Sequence, residues 1–163
     1  MQHMSSAAPE RTVRDIAGML NSAGHALTNR LAAALAEVGL TPRMQCVLVH
    51  AMAEERTQIQ LAALADLDKT TMVSTVDDLE RKGLAQRRAS ATDRRARIIA
   101  VTDEGRRAAE AGRRIVDRVH EEALEGLPAA ARETFVTALA QLIDDGADNA
   151  GPRPVRRARE RHS

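Results

Sequence analysis

The stretch that decides the fold is residues 57–83, TQIQLAALADLDKTTMVSTVDDLERKG. Thr57 and Gln60 have the spacing of a capping box, which predicts the start of a short helix. The turn that follows ends on Asp68, a residue type suited to cap a second helix. That second helix is expected to stop at Gly83, because glycine is the usual residue just past a helix end. Two short helices around a tight turn predict a helix-turn-helix.

The second helix, predicted over residues 69–82, has an apolar face and a polar face. Met72, Val76 and Leu79 fall on the apolar face and are expected to be buried. An α-helix fits the major groove of DNA, where hydroxyl and ammonium groups reach base edges or phosphates. Candidates for such contacts are Lys69, Thr70, Thr71, Ser74 and Thr75. Taken alone, serine and threonine near a helix start more often cap the helix or face solvent.

A β-hairpin is predicted directly after this helix. Residues 84–88 and 95–101 can each be extended, and a polar tip over 89–94 joins them. Both arms are short and rich in arginine, so they cannot form a sheet with its own core. A hairpin appended to a helix-turn-helix is a wing. The predicted fold class is therefore mainly α with a small β-hairpin wing, a winged helix-turn-helix with long N- and C-terminal helices.

Long amphipathic helices are predicted on both sides of this lobe. The first covers residues 10–38 and would be about 43 Å long, which exceeds the width of a small domain. Part of its apolar stripe therefore needs a cover, and a second subunit is the expected one. Helices over 103–124 and 128–146 follow the wing. We expect 10–38 and 103–146 to form a dimerisation region beside a DNA-binding lobe of residues 41–102.

The net charge of +1 is distributed unevenly along the chain. Residues 81–97 carry +6 and residues 153–163 carry +4, which leaves −9 for the rest. A basic ribbon on an acidic body favours polyanion binding through one surface, although a solvated charged hairpin would explain the charge alone. Residues 1–9 are expected to be flexible, and residues 147–163 to form a basic disordered tail.

Missing parts exclude several classes of function. Phe135 is the sole aromatic residue, so a stacking platform for single-stranded nucleic acid is not expected. The sequence contains no glycine-rich phosphate loop, paired-cysteine metal motif or nucleophile motif, so we expect no enzyme, no cofactor and no metal site. No apolar run is long enough for a membrane span or a signal peptide, and the expected location is the cytoplasm, at the bacterial nucleoid.

Three motifs, in order and at a fixed spacing, resemble the multiple-antibiotic-resistance regulator (MarR) family. They are Leu79-Glu80-Arg81-Lys82-Gly83-Leu84, Asp93-Arg94-Arg95 and Thr102-Asp103-Glu104-Gly105. The resemblance covers about residues 9–146. The sequence departs from the family at Ser74, where many relatives carry a basic residue, and at Ala85, where a bulkier aliphatic residue is usual.

The resemblance implies a homodimer that presents two recognition helices to an inverted repeat in double-stranded DNA. It also implies a sequence-specific transcriptional regulator, more often a repressor, that a small organic effector releases from DNA. In the family such effectors bind between the dimerisation region and the DNA-binding lobe. Residues expected to line that crevice are His25, Met44, Val47, His50 and Ala51, although an apolar helix face of this kind is more often plain core.

The wing carries the second set of candidate DNA contacts. Arg94 and Arg95 suit a narrow A·T-rich minor groove, whose negative potential attracts arginine. By similarity to the family, Asp93 would orient Arg95 through a carboxylate–guanidinium pair, and an ordinary surface ion pair is the alternative. Either phosphate contacts or solubility of the wing would explain Arg87, Arg88 and Arg97.

Other interpretations of the sequence stay open. Cys46 and His50 share a helix face, so a redox or metal switch is one alternative, with His25 and His120 as further zinc ligands. An inert buried thiol is favoured. As a whole, the chain would alternatively be an architectural protein that coats DNA without sequence preference, or a winged helix that binds only protein. The presence of both Arg94 and Arg95 argues against the last of these.

Overall fold

The structure is a computed structural model that describes residues 15–149 of the chain, and the side-chain surroundings of residues 15–144. These residues form six α-helices and a two-stranded antiparallel sheet. The helices are α1 (Ile16–Leu35), α2 (Pro42–Ala53), α3 (Gln58–Leu64), α4 (Lys69–Arg81), α5 (Asp103–Glu125) and α6 (Ala129–Asn149). The strands are β1 (Ala85–Ala89) and β2 (Arg97–Val101), and a 3-10 turn, Ala36–Val38, follows α1. The predicted fold class is confirmed.

Side-chain caps and glycines set the helix boundaries. Thr41, Thr57 and Asp68 each accept a hydrogen bond from a backbone N–H in the first turn of α2, α3 and α4. The capping box predicted for α3 is present. The 3-10 turn after α1 ends at Gly39, and the chain turns away from α4 at Gly83. Both glycines have φ +70°. Glycine adopts this left-handed conformation without the steric cost that a side chain adds.

Several boundaries differ from the predicted ones. The last turn of the first helix tightens to 3-10 before Gly39, and residues 10–14 of the predicted helix lie outside the described residues. β1 begins one residue late because the Leu84 N–H closes the end of α4 on the Leu79 carbonyl at 2.9 Å. The predicted disordered tail of residues 147–163 starts too early, because residues 147–149 belong to α6. The rest of that tail, from residue 150 onward, and the predicted flexible N-terminus lie outside the described residues.

The described residues form two compact units that divide between Glu121 and Glu122. In the first unit, the largest side chains of the core come from α1 to α4 and from β2. Burial of an aliphatic side chain of this size contributes about 1.5–3 kcal/mol. The largest fully buried side chains are Leu35, Val47, Leu48, Leu61, Met72, Val76, Leu79 and Ile99. The inward face predicted for α4 is therefore confirmed.

The hairpin is joined to this core through its second strand. Ile98 and Ile99 on β2 are both buried, and β1 pairs with β2 in the register that sets Arg87 opposite Ile99. The Ile99 N–H donates to the Arg56 carbonyl at 3.2 Å, and Thr57 forms a β-bridge with Ile98. The link between α2 and α3 thus adds a short third segment to the sheet. Because of it, the wing is part of the lobe rather than a free arm.

No helix within residues 15–149 is long and apolar enough to cross a membrane.

Candidate nucleic-acid interface

The first turn of α4 is held by Asp68. Its carboxylate accepts the Thr71 backbone N–H at 2.9 Å and the Thr71 hydroxyl at 2.6 Å. These two hydrogen bonds, the one from the hydroxyl foremost, hold the pKa of Asp68 below its usual value. The hydroxyl hydrogen of Thr71 is therefore already used within the protein, and only its oxygen lone pairs remain for another partner.

Three of the five candidate residues on α4 lie on its exposed face. Lys69, Thr70 and Ser74 are exposed, and the Ser74 hydroxyl donates to the Thr71 carbonyl at 2.9 Å. These residues can approach a groove of DNA without rearrangement of the helix. Thr71 is half-buried beside them.

Thr75 is buried, although it is one of the candidate DNA contacts predicted from the sequence. Its side chain is only 5% exposed, and its hydroxyl donates to the Thr71 carbonyl at 2.8 Å. A threonine within a helix satisfies its hydroxyl in this way when its other side packs inward. Thr75 is therefore withdrawn as a candidate DNA contact.

Val73 lies on the exposed face that the sequence analysis described as polar. It is 36% exposed and follows Lys69 by four residues, so the two share one side of α4. An exposed methyl group at this position can contact the methyl group of thymine. The four-residue spacing is visible in the sequence, but a valine directly after the buried Met72 gives no reason to prefer exposure over burial.

The wing presents its arginines at and next to a tight tip. Ser90 begins the tip, and its backbone N–H donates to the Ala96 carbonyl at 3.0 Å, which closes the loop. Within the loop the Asp93 carboxylate accepts the backbone N–H of Arg95 at 2.9 Å. The wing arginines with exposed side chains are Arg88, Arg94, Arg95 and Arg97.

The carboxylate–guanidinium pair expected between Asp93 and Arg95 is not formed. Among the described residues, Asp93 and Arg95 form no side-chain ion pair, and their contact is the backbone hydrogen bond. A side chain that accepts from the N–H two residues on makes an Asx turn. Asp93 therefore shapes the loop that carries Arg95 and does not engage its guanidinium group.

Ser90 fastens the tip to the lobe. It is 7% exposed, one of few buried polar side chains among the described residues. Its hydroxyl donates to the Glu55 carboxylate at 3.1 Å and accepts the Thr92 N–H at 3.2 Å. The start of the tip is therefore attached to the link between α2 and α3.

Arg87 is half-buried against α3 and α4 and does not belong to the exposed basic set. Its guanidinium group pairs with Asp77 at 2.8 Å and with Glu80 on α4, and its Nε donates to the Gln58 side chain at 3.2 Å. The side chain is 25% exposed. Phosphate contact, one of the two roles expected for Arg87, does not fit this arrangement. Asp77 and Glu80 hold its guanidinium group instead.

A cavity of about 390 Å³ lies between α1, α2 and α5 within the first unit. Its walls are mainly apolar, and its polar lining residues include Gln45, Arg113 and Asp117. Gln45 is 5% exposed and its Nε2 donates to the Ala109 carbonyl at 2.9 Å, while its Oε1 is buried without a partner. The lining residues are Leu31, Leu35, Pro42, Gln45, Cys46, Val49, His50, Arg113, Val116 and Asp117.

Of the five residues expected to line a crevice, His50 alone is among those that line this cavity. Met44 and Val47 are core residues, 3% and 0% exposed, because they lie on the opposite side of α2. Ala51 is half-buried against the core, and His25 is exposed on α1. The lining residue that the sequence analysis did not identify is Gln45, a buried polar side chain on α2.

Cys46 also lines this cavity and is half-buried. Burial raises the pKa of its thiol, which lowers the fraction of reactive thiolate at neutral pH. Within residues 15–149, no group of three or more histidine, cysteine, aspartate or glutamate side chains is placed to hold a metal ion.

Comparison with known proteins gives one consistent result. A sequence profile of the MarR family matches residues 38–96. CouR from Rhodococcus jostii RHA1, solved bound to p-coumaroyl-CoA, is 32% identical, with 85% of this chain and 96% of that chain covered and a TM-score of 0.74. A MarR family transcriptional regulator from Rhodococcus sp. RHA1 is 32% identical, with coverage of 78% and 91% and a TM-score of 0.71. The transcriptional repressor CouR bound to a 23-mer DNA duplex is 29% identical, with coverage of 78% and 92% and a TM-score of 0.71.

Proposed function

This chain belongs to the MarR family of transcriptional regulators, and from this premise we propose that it binds an inverted-repeat operator as a homodimer. In this proposal it represses transcription there and leaves the DNA when a small organic effector binds. It is a regulator and not an enzyme. The proposal assigns DNA binding to residues 41–102 and dimerisation to residues 10–38 and 103–146.

The observation that carries the proposal is the attachment of the wing to the lobe that bears α4. Arg87 connects the hairpin to α3 and α4. Ser90 connects it to Glu55, and Ile99 connects it to Arg56. Two elements that enter neighbouring grooves of one duplex must keep a fixed separation. An exposed helix face and an arginine tip on one continuous lobe meet that requirement.

We assign roles to the exposed residues from their chemistry. Lys69, Thr70 and Ser74, with Val73 between them, would read base edges in the major groove. Arg94 and Arg95 would enter the adjacent minor groove, and Arg88 and Arg97 would contact phosphates. Among relatives, the transcriptional repressor CouR has been solved on a DNA duplex, which supports double-stranded DNA as the partner.

The exposed apolar residues of α1 and α6 support a homodimer. On α1, Ile16 and Met19 are 60% and 56% exposed, and on α6, Leu142 and Ile143 are 56% and 65% exposed. Large apolar side chains at successive turns of a helix are costly to leave in water. A second copy of the chain would cover them, and two-fold symmetry would then present two α4 helices to half-sites about one helical turn apart.

The cavity beside α2 supports an organic effector. Its apolar walls suit a hydrophobic body, and Arg113, which lines the cavity together with Asp117, would pair with an acidic group of the ligand. The relative CouR has been solved with p-coumaroyl-CoA, which is consistent with an aromatic acid or its thioester as the class of ligand.

The experiment compares two duplexes at several salt concentrations. One carries an inverted repeat from the region upstream of this protein's own gene, and the other has the same base composition in scrambled order. The proposal expects at least about 10³-fold tighter binding to the inverted repeat at physiological salt. Equal affinities at matched salt would favour the architectural alternative, and a single-subunit mass in sedimentation would contradict the homodimer.

A further inference from the structure

Arg87 connects three elements of the lobe through one side chain. It lies on β1, its guanidinium group pairs with Asp77 and Glu80 on α4, and its Nε donates to Gln58 on α3. Its backbone N–H donates to the Glu80 carboxylate as well, at 2.8 Å. Because one guanidinium group offers five donors in a rigid plane, it can hold several acceptors at once in a way that a lysine ammonium cannot.

The charge around Arg87 opposes a direct contact with DNA. One guanidinium group faces two carboxylates, so the group of three side chains is negative overall. A phosphate that approached Arg87 would meet both carboxylates and would have to displace them. Its neighbour Arg88 is exposed, and neighbouring residues of a strand point to opposite faces. Arg88 has no ion pair among the described residues.

We propose that Arg87 is a positioning residue that fixes the wing against the recognition helix, so that α4 and the arginine tip keep the separation that an operator requires. This inference rests on the proposed function, because it takes α4 and the wing to be the parts that read DNA. It assigns Asp77 and Glu80 a part in operator recognition, although their charge alone would repel DNA.

The decisive test neutralises the two carboxylates. The double variant Asp77→Asn/Glu80→Gln keeps the size of each side chain, removes two negative charges and loosens the hold on Arg87. If Arg87 positions the wing, this variant binds the operator about tenfold more weakly, and its affinity for the scrambled duplex stays equal or rises. If Arg87 were a phosphate ligand restrained by its neighbours, the same variant would bind both duplexes more tightly.

A matched pair of arginine variants gives a second readout. Arg88→Met is expected to lower affinity for both duplexes alike. The slope of the logarithm of the association constant against the logarithm of salt concentration should fall in magnitude by about one, as for the loss of one phosphate contact. Arg87→Met is expected to lower affinity for the operator far more than for the scrambled duplex. Arg87→Lys keeps the charge but not the several donors, so it should restore only part of the operator affinity.

The outcomes separate this inference from the proposed function. If the wild-type protein shows no preference for the operator, both are overturned. If the wild type shows the preference and the carboxylate variant binds the operator as tightly as the wild type or more tightly, the positioning role alone is overturned. Thermal unfolding of each variant is measured alongside, and Asp77→Asn alone, at an exposed carboxylate, replaces the double variant if that variant does not fold.

Discussion

The carbonyl oxygen of Leu84 occupies the space in which a side chain on Gly105 would begin. A Cβ at position 105 would lie well under 3.0 Å from that oxygen. Thr102 secures the approach, since its hydroxyl donates to the Gly83 carbonyl at 2.7 Å and accepts the Gly105 N–H at 3.0 Å. The spacing of the threonine and the glycine therefore serves to join the start of α5 to the end of α4 and not to touch DNA.

Substitution of Gly105 by alanine should lower the free energy of unfolding by about 1–3 kcal/mol, because the backbone of Leu84 must move. Denaturant unfolding of the purified protein measures the change. Gly24→Ala is the control, since no heavy atom lies within 4 Å of a Cβ at that exposed helical position. That variant should be no less stable than the wild type. Equal destabilisation of both variants would contradict the close approach.

Removal of the Arg95 side chain should weaken operator binding by at least about 1 kcal/mol, since its guanidinium group lies on the exposed tip and forms no ion pair with any described residue. Fluorescence anisotropy with the operator duplex measures this for Arg95→Ala. Sedimentation checks that the oligomeric state is unchanged. Wild-type affinity in the variant would show that the tip does not enter a groove.

Deletion of residues 151–163 should lower affinity for operator and scrambled duplexes by the same factor and flatten the salt dependence of binding, since the segment adds five arginines against one glutamate. Titrations at several salt concentrations measure both effects. A change in the ratio of the two affinities would mean that the tail reads bases.

Acid should selectively remove the contribution of Asp68 to stability. Hydrogen bonds from Thr71 lower the pKa of this carboxyl in the folded protein. Its contribution is therefore complete above the unfolded value of about 3.9 and is lost as the pH falls through the lower folded value. Urea unfolding of the wild type and of Asp68→Asn at a series of pH values tests this, because asparagine caps the helix but does not titrate. A difference between the two proteins that is constant through the acid range would refute it.

Alkylation of Cys46 should be slow at neutral pH and should accelerate as the pH rises, because burial raises the pKa of its thiol and the thiolate is the reacting form. Mass spectrometry after treatment with iodoacetamide follows the reaction. The denatured protein provides the rate of an unhindered thiol. A fast reaction of the folded protein at neutral pH would indicate the redox role that the inert-thiol interpretation denies.

The parts of this fold that were predictable from sequence depend on contacts between near neighbours. Thr57 and Asp68 cap helices through bonds to residues three positions on, and Gly39 and Gly83 end helical segments through their own backbone conformation. Chemistry of this kind is contained in four to six consecutive residues. The pattern of buried positions on α4 is local in the same sense, since it repeats with the helix.

The parts that were not predictable depend on packing between distant segments. Arg87 finds Gln58 twenty-nine positions away along the chain, so no local pattern distinguishes it from the exposed Arg88. Thr75 is polar by type and buried by its place beneath the neighbouring helices. The cavity is lined by residues from three helices, and the choice between Met44 and Gln45 as a wall residue depends on how α2 is rotated against α5.

The tip of the wing is closed at its base by Ser90, and this bears on how such a regulator acquires new targets. Bonds from Ser90 to Ala96 and to Glu55 hold the two ends of the loop, so the residues of 91–95 other than Asp93, which shapes the loop, can change identity while strand register is kept. After a gene duplication, one copy can accumulate replacements there without passing through unstable intermediates. Divergence of target preference between duplicated copies should therefore concentrate in these positions and leave the anchoring serine and the loop-shaping aspartate in place.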